Sequence, residues 1–230
     1  MIHEWSFYVL DGSINWRTQL GSLERLLRSS ISIGNQVIYA EDSREGAKYV
    51  RKRFEIESEE LISFMELVEN KNFRIPTILS FAGNEYIKDL ILGWIRSECG
   101  VIILPIEFNG TFMIYVVDAI FYASTLHFSE TYRTKLIYDV DTENKNLKKL
   151  ELELDKDTLK TFTDMEKRSV FEKCIMPYIR EETGLILEKL TLSMISLAGF
   201  ARINKRGIST FANTLETEIL LTLLQRSQLD

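Results

Sequence analysis

Asp139, Asp141, Glu143 and Asn144 form the densest run of metal-type oxygen ligands in the chain. Divalent-cation chemistry needs two or three carboxylates converging on one ion, often with a lysine nearby to orient a water. Glu107, Asp118, Asp139 and Asp141 are therefore the candidate metal ligands, with Lys135 and Lys156 as candidate amines. A calcium loop would place glycine where Asn144 stands and a bidentate glutamate where Leu150 stands, so that reading fails. A DxDxT phosphatase signature fails at Glu143. The spacing favours the end of a solvated strand entering a turn over a metal-dependent nuclease or phosphoesterase.

The other chemistry-bearing residues are sparse. Two histidines, His3 and His127, cannot supply a zinc site of several closely spaced ligands. No GxSxG elbow is present for a nucleophilic serine. Cys99 and Cys174 lie far apart without a CxxC motif, which predicts reduced, buried thiols. Lys48, Arg51, Lys52 and Arg53 are followed by Glu55, Glu57, Glu59 and Glu60, which suits a salt-bridged helical face better than a phosphate site. The sequence thus assigns no catalytic residue and no cofactor.

Residues 201–216 carry a sharper signal. Gly207-Ile208-Ser209-Thr210 resembles the turn of helix-turn-helix DNA-binding families, in which glycine makes the bend, an apolar residue plugs the core and Ser/Thr caps the recognition helix. That resemblance implies backbone contacts from Arg202, Lys205 and Arg206, with Ser209 and Thr210 at the cap. The segment departs from the pattern at Ile203, Asn213 and Glu216.

The last segment is read as a helix with a wide leucine face. Phe211, Leu215, Ile219 and Leu223 are spaced by four, and Leu220 and Leu224 broaden the apolar surface. These six residues are the candidate partner-binding site, for a protein partner or a second copy in a homodimer.

The elements that must position these residues follow from periodicity. Residues 4–10 predict a strand, Trp16–Leu27 an amphipathic helix and residues 36–40 a second strand, an arrangement that allows a parallel crossover. Helices are expected over 42–54 and 58–68, and over 73–81 a strand that Pro76 either places at a sheet edge or makes short. Asn84 and Gly100 bracket the clearest helix. A β-meander is expected next: 101–108 and 111–118 around an Asn109-Gly110 hairpin turn, then strands over 122–128, 132–141 and 150–154. Thr163 and Glu166 predict a capping box and Pro177 a kink or a split; Leu187, Leu190, Met194 and Leu197 suit a further helix, while Leu190, Leu192 and Met194 also suit a strand.

The fold class expected is α+β, with a mixed sheet and β-meander in residues 1–155 and a helical C-terminal region, 156–230, sharing the same core. Residues 156–230 hold 11 Lys+Arg against 10 Asp+Glu, a net of +1. Residues 1–155 hold the remaining 17 against 24, a net of −7, so a nucleic-acid partner would have to meet the last third. The N-terminus lacks a signal-peptide pattern, and the longest uncharged stretch, Leu190–Ala201, is 12 residues, too short to span a bilayer. The functional expectation is a non-catalytic, cytoplasmic protein-binding module of immunity, antitoxin or regulatory-adaptor type. A DNA-binding regulator is the alternative, and membrane partners are excluded.

Overall fold

The structure, a computed structural model, describes residues 2–12, 14–30, 37–42, 49–57, 62–70, 77–124, 133–141, 148–166, 169–198 and 200–210. These fall into two units, one over His3–Ile106 and one from Glu107 onward. The division expected at 155/156 falls inside the second unit, between the strand Lys149–Leu154 and the helix Lys156–Met165.

In the first unit, β1 (His3–Asp11), β2 (Val37–Asp42), β3 (Tyr49–Glu57), β4 (Ile62–Asn70), β5 (Thr77–Ala82) and β6 (Ile102–Pro105) alternate with α1 (Trp16–Ser30) and α2 (Glu85–Cys99). The strand order is β2-β3-β4-β5-β1 with β6 beside β1, and these pairings are antiparallel. The parallel crossover after β1 is therefore corrected: β2 pairs with β3, not with β1. One sheet face carries Leu10, Phe54, Ile56, Met65, Leu67, Leu79 and Phe81, which form one core with Trp16, Leu23 and Leu27 of α1 and Ile87, Ile91, Trp94 and Ile95 of α2.

Two expected helices in this unit are strands. Val50 and Phe54 are spaced as on a helix, but Lys52, Phe54 and Ile56 alternate inward, the period of a strand. Ser63 to Val68 are all buried, so β4 shows neither period and cannot be told from a buried helix by its pattern. Of the two outcomes expected at Pro76 the edge position is corrected, since β5 lies between β4 and β1, while the strand is short, Thr77–Ala82.

The β5–α2 junction depends on a missing side chain. Gly83 has φ +139°, and a Cβ there would sit 2.4 Å from Ser63 Oγ and 2.6 Å from Ser63 Cα. That close approach lets the Asn84 N–H donate to Ser63 Oγ at 3.1 Å, while Asn84 Oδ1 accepts from the Tyr86 N–H at 2.8 Å to cap α2. Gly100, in the left-handed region, ends α2 as expected.

In the second unit, α3 (Gly110–Ser124), β7 (Thr134–Asp139), β8 (Lys149–Leu154), α4 (Lys156–Met165), a π-helical turn (Phe171–Ile175) running into α5 (Met176–Thr183), β9 (Thr191–Leu197), β10 (Ala201–Asn204) and β11 (Gly207–Thr210) follow in order. The strands pair antiparallel in the order β11-β10-β9-β7-β8. The fold is thus a mostly antiparallel sheet with helices. The mixed sheet and helical C-terminal region are both corrected, since Thr191–Thr210 is largely strand.

Three local signals misled here. Asn109-Gly110 is not a hairpin turn: Asn109 Oδ1 accepts from the Phe112 N–H at 2.8 Å and caps α3, whose β-branched and aromatic residues are buried along most of its length. The Thr163/Glu166 box lies at the end of α4, whose true cap is Asp155. In β9, the register against β7 shifts between Ile137 and Tyr138, leaving Ser193 as a bulge whose hydroxyl donates to Ile137 O at 3.1 Å. The bulge turns Leu192 inward together with Ile195 and Leu197, so a strand displays the three-residue spacing of a helix.

Opposite outcomes are expected at two glycines of the first unit. Gly83→Ala should cost about 1–3 kcal/mol, because a strained φ is combined with a backbone clash. Gly93→Ala, where a Cβ meets nothing within 4 Å on the exposed side of α2, should add about 1 kcal/mol. Urea denaturation of the two variants against the parent measures both.

Candidate interaction surfaces

The basic run of β3 is distributed by strand alternation to two faces. Arg51 and Arg53 point to one face, where Arg51 Nη2 lies 2.8 Å from Glu66 Oε2 and Arg53 Nε 4.0 Å from Glu66 Oε1. The Glu66 side chain is wholly buried, so it needs these cations. The guanidinium of Arg53 also lies 5.3 Å from the centroid of the Phe64 ring, against which His3 packs edge-on and Trp5 stacks. Lys52 points the other way, toward the helices. Its Nζ lies 2.5 Å from Glu69 Oε2, and Glu69 Oε1 accepts from Trp16 Nε1 of α1 at 2.9 Å. The expected pairing with Glu55, Glu57, Glu59 and Glu60 is met among the described residues only by Arg53 and Glu55 at 3.8 Å; the main partners are Glu66 and Glu69 on the neighbouring strand.

In the second unit the most perturbed acid is Asp118 of α3. It is buried, and Oδ1 accepts from the Phe171 N–H at 2.8 Å at the start of the π-turn. Burial pushes its carboxyl up to about 7, Glu172 and Glu166 push the same way, and backbone N–H donors from Phe171 and Glu172 offset this in part. Pro177 sits in the first turn of α5, directly after the π-turn, so the expected kink takes the form of a widened helical turn.

The carboxylates proposed as metal ligands have separate tasks. Glu107 is exposed and 3.5 Å from Lys205, Asp118 caps the π-turn, and Asp139 and Asp141 are exposed at and beyond the end of β7. Only Asp139 of the four lies on a strand. Among the described residues no three His, Cys, Asp or Glu side chains group to hold a metal ion. Both thiols are raised by burial, with Glu98 adding to the effect at Cys99 and Glu166 at Cys174, which makes them poorer nucleophiles. His127 lies outside the described residues. No described helix is long and apolar enough to cross a membrane.

The helix-turn-helix resemblance is overturned by the backbone. Ala201–Asn204 and Gly207–Thr210 are paired strands, with Arg202 opposite Ser209 and Asn204 opposite Gly207. Lys205 and Arg206 form the tight turn, where Asn204 Oδ1 accepts from the Arg206 N–H at 2.8 Å. Thr210 lies at the end of β11, is buried and donates to Phe200 O at 3.0 Å. Gly207, with φ 147°, serves a hairpin rather than an interhelical bend. The partner-binding candidates Phe211, Leu215, Ile219, Leu220, Leu223 and Leu224 lie outside the described residues.

Both units are thus built on antiparallel strands, the buried charges of the first are paired within it, and among the described residues no metal-ligand group is present. The IML3 family profile matches residues 1–225, and the chain belongs to the IML3 family. It is 25% identical over 245 residues to the inner kinetochore subunit IML3 of Saccharomyces cerevisiae, covering 99% of this chain and 98% of that protein. This membership overturns the immunity, antitoxin and regulatory-adaptor expectation and the DNA-binding-regulator alternative. The cytoplasmic expectation is corrected as well, because the relative that matches end to end is named as an inner kinetochore subunit. Neither correction was accessible to motif reading, since no short residue pattern here denotes the family.

Asp118 makes stability depend on pH in a direction opposite to that of a salt-bridged acid. Between its ordinary value of 3.8 and about 7 the folded chain keeps a proton that the unfolded chain releases, so stability falls as pH rises through that window. Asp118→Asn keeps an oxygen for the Phe171 N–H and removes the charge. Its melting temperature relative to the parent should therefore rise from acid to neutral pH and equal or exceed it above neutrality. A constant difference across the range would contradict the assignment.

Proposed function

We propose that the chain is a non-catalytic structural subunit of the inner kinetochore that acts by holding partner proteins. The observation that carries this reading is the end-to-end similarity to the inner kinetochore subunit IML3, 99% of one chain against 98% of the other. A match of that extent spans both units, not one borrowed element. The absence of a grouped metal-ligand set among the described residues and the raised thiols are in keeping with it.

The finer part of the proposal concerns the C-terminal segment. Phe211, Leu215, Ile219 and Leu223, with Leu220 and Leu224, make an apolar stripe broader than one-sided packing requires. Its occupant is a partner subunit or a second copy of this chain.

A fluorescent fusion at the native locus should give discrete nuclear foci that follow the chromosomal attachment points through division. A uniform cytoplasmic signal would overturn the kinetochore reading. Sedimentation of the purified chain tests the segment. Leu220→Glu with Leu224→Glu should turn a self-associating or partner-bound chain into a folded monomer. A parent that is monomeric and binds no co-expressed kinetochore protein, and is only destabilised by the pair, would sink it.

A further inference from the structure

The sheet of the second unit has one face covered by its own helices, with α3 against β9 and β10 and Tyr138 Oη 3.7 Å from Met176 Sδ of α5. Among the described residues no helix of the unit lies over the other face, and its side chains can be placed from the register. Lys135, Ser196, Arg202 and Ser209 fall in one row across β7, β9, β10 and β11. Ile137, Met194 and Asn204 fall in the next row. Arg202 is exposed, and Ser196, Ser209, Ile137, Met194 and Asn204 are half-buried.

The charges on this face do not cancel. Glu153 is taken by Arg133 at 3.2 Å, Glu151 by Lys135 at 3.0 Å, and Glu107 by Lys205 at 3.5 Å. Arg202 and Arg206 have no ion-pair partner among the described residues, which leave the β10–β11 side with a surplus of positive charge. Arg202 stands between two hydroxyls, those of Ser196 and Ser209, that no described neighbour occupies. A guanidinium fork flanked by two donors matches a carboxylate, which takes the fork on both oxygens and the hydroxyls on its remaining lone pairs. One row away, Met194 and Ile137 offer an apolar floor at the two-residue repeat of an extended strand.

The geometry points to this face as the docking site for an extended acidic segment of a partner protein, with a carboxylate on Arg202 and an apolar residue on Met194 and Ile137. It rests on the partner-holding reading above only in taking the ligand to be protein. Charge complementarity favours an acidic chain, and the alternation of cationic and apolar rows favours an extended peptide over the uniform charge of a nucleic-acid backbone.

The test uses the full chain and a fluorescein-labelled Ser-Glu-Leu-Asp-Leu-Glu-Ser peptide, read by anisotropy at physiological ionic strength. Saturable binding is expected, lost when the acids are replaced by their amides. Arg202→Ser should weaken it at least about tenfold, the loss of a charged bidentate contact, with an unchanged melting temperature. Arg202→Lys, which keeps the charge and loses the fork, should weaken it by less, and Arg25→Ser on α1 should leave it unaltered. Absence of saturable binding, equal binding of the amide peptide, or no effect of either Arg202 variant would overturn the proposal. So would duplex DNA displacing the peptide at equal or lower concentration, which would mark a general polyanion surface. Failure here with nuclear foci intact would leave the kinetochore reading standing.

Discussion

Charge that has been taken inside a sheet must be answered inside it, and the first unit is organised by that requirement. Glu66 is fully buried in a strand whose neighbours on both sides are paired, so it cannot reach water. Arg51 and Arg53 meet it from one side of β3, while Lys52 between them meets Glu69 on the other side. Removing one partner of a buried pair costs about 3–5 kcal/mol, because the other is left charged and desolvated. A one-residue slip of β3 on β4 would send all three cations to the wrong faces at once. The pairing therefore fixes register as much as it stabilises. Through Trp16 Nε1 on Glu69 it also sets where α1 lies on the sheet.

The second unit solves a related problem with one acid instead of an ion pair. Asp118 is placed by a helix that is buried along most of its length, and it answers the free N–H groups at the start of the π-turn. Its neighbours Glu166 and Glu172 oppose its ionisation, so it is held by backbone donors and not by a cation. Carboxylates on the outer side of the same unit are paired with lysine and arginine in water, where such pairs contribute little to stability. What those surface pairs do is decide which cations remain available.

Elements with one buried side and one wet side could be read from sequence. β1, α1, α2 with both of its caps, β7 and β8 have the periods and punctuation that physics requires. Elements buried on both sides, or interrupted, could not. β4 and α3 are apolar through most of their length, and an apolar run carries no period to read. The β9 segment carries both spacings, Leu187, Leu190, Met194 and Leu197 for a helix and Leu190, Leu192 and Met194 for a strand, and only the pairing with β7 decides between them. At the sites, the need of Arg51, Lys52 and Arg53 for acidic partners was legible, while their main partners, Glu66 and Glu69, were not. Arg202 stood out as a cation, but only the strand register supplies its two serine neighbours. Family membership had no local residue signature, because it is spread over the whole chain.

The Asp118 contact also bears on the order in which the chain can assemble. The helix that begins at Val170 has no side-chain cap of its own, and the acid that serves it lies 53 residues earlier in sequence. A short helix is costly to nucleate in water. This one receives its cap only after the loop spanning α3 to Val170, which includes the β7–β8 hairpin and α4, has closed. The π-turn and α5 are accordingly late-forming parts of the unit, dependent on α3 being in place, and not an autonomous helical nucleus onto which the sheet condenses.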